Sequence, residues 1–288
     1  MKDLLASLRP GQWVKNFFVF AAPLFGKVLF QREPALRTAA AFGVFCLLSG
    51  ALYLVNDILD AESDRVHPRK AKRPIAAGRL RPGTAWVWAA VLGAAGLAAA
   101  AALDQRLLLA AATYILLQTA YSLALKRVVI LDVFIVASGF VLRVAAGGFA
   151  AGVAPSSWLL VCTSLLALLV AVGKRRHELM LLEERGGEHR AVLREYTPAL
   201  LDQMVAVVTA ATTVAYALYV MDEATVERFG SGRLLWSAPF VLYGIFRYLY
   251  LVYRRGEGGT PEEMIVKDLP FLASIALWIC VSVALIYL

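Results

Sequence analysis

The sequence predicts an all-α integral membrane protein of nine transmembrane helices. Three observations carry this: an excess of apolar residues, their division into stretches of membrane length, and a one-sided distribution of positive charge. Of the 288 residues, 60% are hydrophobic, against roughly 45–50% in an ordinary soluble domain. Stretches matching the ~20 residues that cross a ~30 Å hydrocarbon core lie near residues 13–30, 36–56, 84–103, 107–124, 131–150, 155–173, 203–221, 232–252 and 268–288. The first is expected to stay in the mature protein, because it starts with Trp13 and Lys15, contains Pro23 and ends without a small-residue cleavage site.

Sorting charge by loop gives the orientation. With the N-terminus inside, about twenty Lys and Arg fall in cytoplasmic segments and about four outside, which is the sense of the positive-inside rule. The cytoplasmic segments are then the N-terminus and the loops at 57–83, 125–130, 174–202 and 253–267. The formal net charge of +8 does not imply nucleic acid, since the cations are divided among short loops that also carry acids. Cys46, Cys162 and Cys280 lie far apart inside apolar stretches, so they read as small buried hydrophobes rather than disulfides or zinc ligands. The longest polar segments have about thirty residues each, too few for an independent core, so residues 1–288 read as a single membrane domain. Segments 36–83 and 155–202 share a plan of span plus long basic loop, a hint of internal duplication.

The second span runs into Tyr53-Leu-Val-Asn56-Asp57-Ile-Leu-Asp60-Ala-Glu-Ser-Asp64-Arg65. In the pattern N-D-x-x-D-x-x-x-D, Asp57, Asp60 and Asp64 stand at i, i+3 and i+7, on one helix face. Like charges so placed repel, and a hard cation relieves the repulsion. Mg²⁺ suits the group, since it takes one or two carboxylates, several waters and the phosphates of a substrate. The plainer alternative is a solvated acidic helix end paired with Arg65 and Arg69.

Cations follow at once in His67-Pro68-Arg69-Lys70-Ala-Lys72-Arg73-Pro74-Ile-Ala-Ala-Gly78. Acid followed by base is the order a metal–diphosphate needs, with the metal neutralising part of the anion and Lys70, Lys72 and Arg73 taking the remaining oxygens. The same cations also satisfy the positive-inside rule with no further role. Lys15, Lys126 with Arg127, and Lys174, Arg175 and Arg176 lie at cytoplasmic ends of other spans. They are expected to ring the mouth of a central cavity open to the cytoplasmic side. Arg143 lies within the fifth span, where an ionisable group is costly and marks a functional or paired position; Asp132 stands too far along that helix to be its adjacent partner, and Arg143 is expected to face the cavity. His177-Glu178 fails as a metalloprotease start because Leu181 stands where H-E-x-x-H needs its second His. Glu178 is a candidate metal or sugar ligand, and His177 and His189 read as surface residues.

With these residues in place the chain resembles the UbiA superfamily of intramembrane transferases, nine-helix proteins with a cytoplasm-side N-D-x-x-D-x-x-x-D motif. Within it, Arg9-Pro-Gly-Gln12-Trp13-Val-Lys15-Asn16, the His67-to-Gly78 string, Tyr121-Ser-x-x-Leu-Lys126 and Lys174-Arg175-x-x-Glu178-Leu are similar to decaprenyl-phosphate phosphoribosyltransferases. The resemblance implies transfer of 5-phosphoribose from phosphoribosyl pyrophosphate (PRPP) to a polyprenyl phosphate at the inner (cytoplasmic) membrane, with release of pyrophosphate and with Mg²⁺ as cofactor. It assigns the metal to Asp57, Asp60 and Asp64, with Asn56 and Glu178 beside the reacting groups. Lys15, Lys70, Lys72, Arg73, Tyr121, Lys126, Arg143, Lys174 and Arg175 are then the substrate-binding residues. The second aspartate-rich motif usual in the aromatic prenyltransferases of the superfamily is absent: residues 174–202 hold Glu178, Glu183, Glu184, Glu188 and Glu195 but only one aspartate, Asp202. The competing readings are a prenyltransferase using a prenyl diphosphate and an aromatic acceptor, and a transporter. The transporter is disfavoured because the acids crowd one interface instead of the bilayer midplane. Association of protomers is open.

Overall fold

A computed structural model describes residues 2–66, 70–185, 191–256, 259, 264, 265 and 267–288. Among them the secondary structure is helical throughout, with no strand. The α-helices are α1 (Lys2–Ser7), α2 (Ala21–Phe25), α3 (Arg32–Leu59), α4 (Ala61–Arg65), α5 (Pro82–Leu103), α6 (Gln105–Leu123), α7 (Leu131–Ala151), α8 (Ser157–Arg185), α9 (Pro198–Met221), α10 (Glu223–Phe229), α11 (Ala238–Arg254) and α12 (Leu269–Tyr287). Eight of the described helices are long and apolar enough to cross a membrane: α3, α5, α6, α7, α8, α9, α11 with the 3₁₀ turn before it, and α12. They coincide with the last eight apolar stretches of the sequence.

The first apolar stretch is built differently. Residues Pro10–Phe20 form a 3₁₀ helix that leads into the five-residue α2. At about 2 Å per residue, and about 1.5 Å in α2, the pair reaches at most about 30 Å, the thickness of the hydrocarbon core. The cost of this extended form is met by packing: Val19 is fully buried, and its carbonyl oxygen lies where a Cβ on Gly147 would stand, at 1.7 Å. Only a residue without a side chain lets the two backbones approach so closely.

Two helices outgrow the bilayer. α3 has 28 residues and α8 has 29, about 42–44 Å each, some 12 Å more than the core requires. The segments expected as loops from 57 and from 174 therefore begin as helix: α3 continues to Leu59, and α8 carries Lys174, Arg175 and Glu178 on turns that run on to Arg185.

The chain divides into two compact units, residues 1–123 with 142–154, and residues 124–141 with 155–288. In the first, Val44, Phe45, Leu48 and Leu52 of α3 pack with Ala100, Ala110, Ala111, Ala146 and Ala150, small residues that let membrane helices come close. A second cluster, Leu4, Leu54, Ile75, Leu80 and Ala85, seats the first long loop on α3. Arg37 donates from Nε to the Ala150 carbonyl at 2.8 Å and from Nη2 to the Leu103 carbonyl at 2.6 Å, capping α5 and α7 at the negative ends of their dipoles. In the second unit Val133, Leu169, Val172, Leu201, Val205 and Leu251 form the core. Large apolar side chains on the outer surfaces, such as Leu109, Leu116 and Val207 at 67–69% exposure, face what the composition identifies as lipid.

The Gly147 contact sets a measurable expectation. Gly147→Ala should cost about 1–3 kcal/mol through overpacking and lower the apparent melting temperature in detergent. Gly43→Ala, on α3 with nothing within 4 Å of the added Cβ, should be neutral or stabilising by up to ~1 kcal/mol. Equal melting temperatures for the two variants would contradict the packing.

Candidate functional site

In the first unit α3 delivers Asp57 to the membrane boundary in an interior position, 1% exposed. Asp60 falls at the joint between α3 and α4, at φ −94° and ψ 4°, half-buried. Asp64, on α4, is again buried at 2%. The joint preserves the helical hydrogen bonds, from Asp60 N–H to the Asn56 carbonyl at 2.9 Å and from Asp64 N–H to the Asp60 carbonyl at 2.8 Å. The facing of Asp57 and Asp64 expected from helical spacing is thus realised across a bend.

Two buried carboxylates about two helical turns apart require counter-charge, and two arginines provide it. Arg73 Nη1 lies 2.5 Å from Asp64 Oδ2 and 3.2 Å from Asp57 Oδ1, bridging the acids. Arg9 donates to the same Asp57 Oδ1 with its guanidinium over the Tyr53 ring at 4.9 Å. Lys70 stands 4.0 Å from Asp64, whereas Lys72 is exposed. Arg79 donates to the Lys72 carbonyl and to Asp3 at 2.9 Å, closing the loop onto α1. The remaining residues of that loop's basic string, His67, Pro68 and Arg69, lie outside the described residues.

Among the described residues no three Asp, Glu, His or Cys side chains are gathered as a ready metal cluster, because the arginines stand between the acids. One coordination position is nevertheless left. Asp57 Oδ2 is buried and, among the described residues, receives no hydrogen bond. A buried carboxylate oxygen without a partner is costly, and a bound cation would satisfy it. The donor set of carboxylate oxygens at an aqueous boundary fits a hard divalent ion that completes its shell with water and phosphate.

Lys15 donates to Gln12 Oε1 at 2.7 Å. Next to it in sequence, Asn16 is buried and bonds Cys46 Sγ, Ser49 Oγ and, through Oδ1, Arg143 Nε at 2.8 Å. Arg143, 5% exposed, also donates to Tyr114 Oη at 2.8 Å and lies over the Tyr114 and Phe45 rings at 4.7 and 5.6 Å. Cys46 and Ser49 precede Asp57 by 11 and 8 residues on one helix, so this cluster sits about 12–16 Å further along α3. The membrane arginine is enclosed by polar and aromatic groups well away from the carboxylates. Tyr121 is half-buried on the last turn of α6.

The second unit holds its own polar centre. Asp132, fully buried, accepts from Arg175 Nε at 2.5 Å and from the Tyr196 hydroxyl at 2.7 Å. Arg175 in turn donates from Nη1 to Glu178 Oε2 at 2.8 Å. Tyr196 accepts the Ile130 backbone N–H at 2.7 Å. Burial, followed by the bond to Asp132, pushes the Tyr196 phenol well above its usual range, so it stays a donor. Arg175, expected among the substrate-binding residues, is 4% exposed and salt-bridged. Lys174 is exposed, Lys126 half-buried and Glu178 25% exposed. Arg176 pairs with Asp202 at 2.5 Å and lies over Tyr253, and Arg247 makes a two-pronged bond to Asp268 at 2.8 and 3.0 Å. Those bonds, with the Phe271 N–H, hold the Asp268 carboxyl below the usual carboxylate range. The side chains of Glu183 and Glu184, with Glu188 and His189, lie outside the described residues.

Sequence reading did not assign Arg9, Asn16, Tyr114, Asp132 or Tyr196 to any centre. Asp132 carried the one available signal, an acid at the entrance to an apolar span, but its partners lie 43 and 64 residues away.

Three comparisons bear on this geometry. The model of the UbiA prenyltransferase family matches residues 17–285. The chain is 37% identical over 290 residues, 99% of its length and 87% of the relative's, to the decaprenyl-phosphate phosphoribosyltransferase of Corynebacterium glutamicum. It is 36% identical over 298 residues, 100% of its length and 93% of the relative's, to that of Mycolicibacterium smegmatis. Among solved structures, a UbiA homologue from Archaeoglobus fulgidus bound to DMAPP and Mg²⁺ superposes with a TM-score of 0.76 at 20% identity, covering 99% of both chains; the same homologue has been solved with Cd²⁺. Apolar helices of membrane length, a carboxylate site at the end of one of them and a match across nearly the whole chain lead to one conclusion: this integral membrane protein belongs to the UbiA prenyltransferase family.

Proposed function

We propose that the chain is a Mg²⁺-dependent polyprenyl-phosphate phosphoribosyltransferase. It moves 5-phosphoribose from PRPP to a polyprenyl phosphate on the cytoplasmic side of the inner membrane. One observation carries the reading: identity of 36–37% over nearly the full length with relatives that bear the name decaprenyl-phosphate phosphoribosyltransferase. The acid-then-base order from Asp57 to Arg73 supports it, since a donor with a diphosphate leaving group needs both. The prenyl-diphosphate reading draws on structural likeness at 20% identity, which speaks to the fold.

In this reading Asp57, Asp60 and Asp64 hold Mg²⁺, with Asn56 orienting an oxygen. The ion supplies charge neutralisation of the departing pyrophosphate. Arg73, Lys70 and Lys72 hold donor phosphate oxygens, with Arg73 turning from the carboxylates it bridges to the anion. An oxygen of the lipid phosphate attacks C1 of the ribose as the C1–O bond to pyrophosphate breaks. The attacking group is already anionic near neutral pH, so positioning and charge compensation replace a strong base. Lys15 is assigned to the lipid phosphate, Lys126, Tyr121 and Lys174 to substrate phosphates, and Glu178, held by Arg175, to the ribose or its developing positive charge. Arg143, on α7 and held by Asn16 and Tyr114, goes with the lipid phosphate rather than the donor. Nine crossings, as the apolar stretches suggest, with the N-terminus inside would put the basic segments on the cytoplasmic side.

Purified protein given Mg²⁺, radiolabelled PRPP and polyprenyl phosphate should produce lipid-extractable label, and EDTA should abolish it. Turnover of a prenyl diphosphate with no lipid-linked label from PRPP would reverse the assignment. Asp60→Asn should cut kcat by about 10²-fold or more, on the order of 3 kcal/mol of charge stabilisation; full activity would remove Asp60 from the site. Arg73→Ala leaves two buried acids short of counter-charge and should lower stability by about 1–3 kcal/mol after allowance for its partial exposure. The triple variant Asp57→Asn/Asp64→Asn/Arg73→Ala should recover most of that loss, as thermal unfolding in detergent would record.

A further inference from the structure

The turn between α6 and α7 carries a strained residue that the proposed chemistry has not used. Ile130 has φ +68°, and the Leu131 N–H bonds the Val129 carbonyl at 2.8 Å, closing a three-residue turn of the rare, strained hand. A β-branched side chain seldom adopts this conformation, and such strain persists where surrounding contacts over-determine it. Here the contact is Tyr196, whose hydroxyl takes the Ile130 N–H and donates to Asp132. Asp132 spends its other oxygen on Arg175, and Arg175 reaches Glu178. The 3₁₀ turn Leu125–Arg127, with Lys126 at its centre, packs against the turn Ala191–Glu195 that leads into Tyr196. Val192 and Leu193, each 1% exposed, anchor that second turn in the core.

We propose that Asp132 and Tyr196 are positioning residues for phosphate recognition. Together they fix the turn that presents Lys126 to a phosphate of the phosphoribosyl donor, and hold the Arg175–Glu178 pair for its ribose. The inference rests on the function proposed above and adds two residues that touch no substrate. Tyr196 suits the task because its hydroxyl serves one backbone donor and one carboxylate at once; a phenylalanine fills the same volume and serves neither. Asp132 suits it because a fully buried carboxylate with two charge-assisted partners holds a single geometry.

The test compares full-length wild type, Tyr196→Phe and Asp132→Asn, with Tyr253→Phe as a control phenol. PRPP and Mg²⁺ are the varied substrates, and melting is followed in parallel. Tyr196→Phe should raise KM for PRPP about tenfold, the loss of roughly 1.4 kcal/mol of positioning, while kcat stays within about twofold. Asp132→Asn keeps the shape, guards against a folding failure of the first variant, and should move KM in the same direction. Tyr253→Phe should leave KM unchanged. A lowered melting temperature and a smaller active fraction with unchanged KM in both site variants would make the pair merely structural and overturn the inference. A wild type that uses PRPP beside variants of equal KM overturns the positioning role and leaves the function standing; a wild type that does not use PRPP overturns both.

Discussion

The carboxylate of Asp57, buried at the end of a membrane helix, is the constraint on which the first unit depends. A charge in that position is tolerated only with a counter-charge beside it. Arg9 reaches it from the N-terminal segment and Arg73 from the loop after α4, so one ionic requirement draws together three parts of the chain that share no sequence neighbourhood. The loop is held from the other side by its apolar residues, Ile75 and Leu80, which pack with Leu54 one turn before Asp57. The arrangement keeps Asp57 and Asp64 close, with one Asp57 oxygen left without a hydrogen bond among the described residues.

The second unit meets the same problem with a different outcome. Asp132, Arg175 and Tyr196 satisfy one another inside the protein, leaving Glu178 and Lys174 as the more exposed members. Each unit therefore carries one helix longer than the bilayer and one polar centre at or beside its protruding end. That distribution agrees with the similarity of segments 36–83 and 155–202 noted in the sequence. It also separates the acids that keep an open coordination position from those that are fully spent.

Much of this was legible in the sequence, and the divisions have physical reasons. The eight continuous spans follow from hydropathy because lipid punishes every unsatisfied polar group, which forces long apolar runs into helices. The site helix followed from the spacing of Asp57, Asp60 and Asp64, since local periodicity fixes which side chains share a face. The 3₁₀ form of Pro10–Phe20 was not legible, because it depends on a tertiary contact, the Val19 backbone against Gly147. Nor were the partners of the cations. Arg175 read as a substrate-binding residue, and its pairing with Asp132, 43 residues earlier, was not visible; nor was the enclosure of Arg143 by Asn16, 127 residues away. Positive charge at a cytoplasmic helix end satisfies topology, pairing and substrate binding alike, and only the fold separates them.

The central claim is that Asp57 keeps a carboxylate oxygen for a divalent ion. Electron paramagnetic resonance titration of Mn²⁺, as a spectroscopic stand-in for Mg²⁺, into purified wild type and Asp57→Asn in the presence of PRPP tests it most directly. The account predicts a bound Mn²⁺ population in wild type whose affinity falls by about tenfold or more, at least ~1.4 kcal/mol, in Asp57→Asn. Equal Mn²⁺ binding by the two proteins would contradict it.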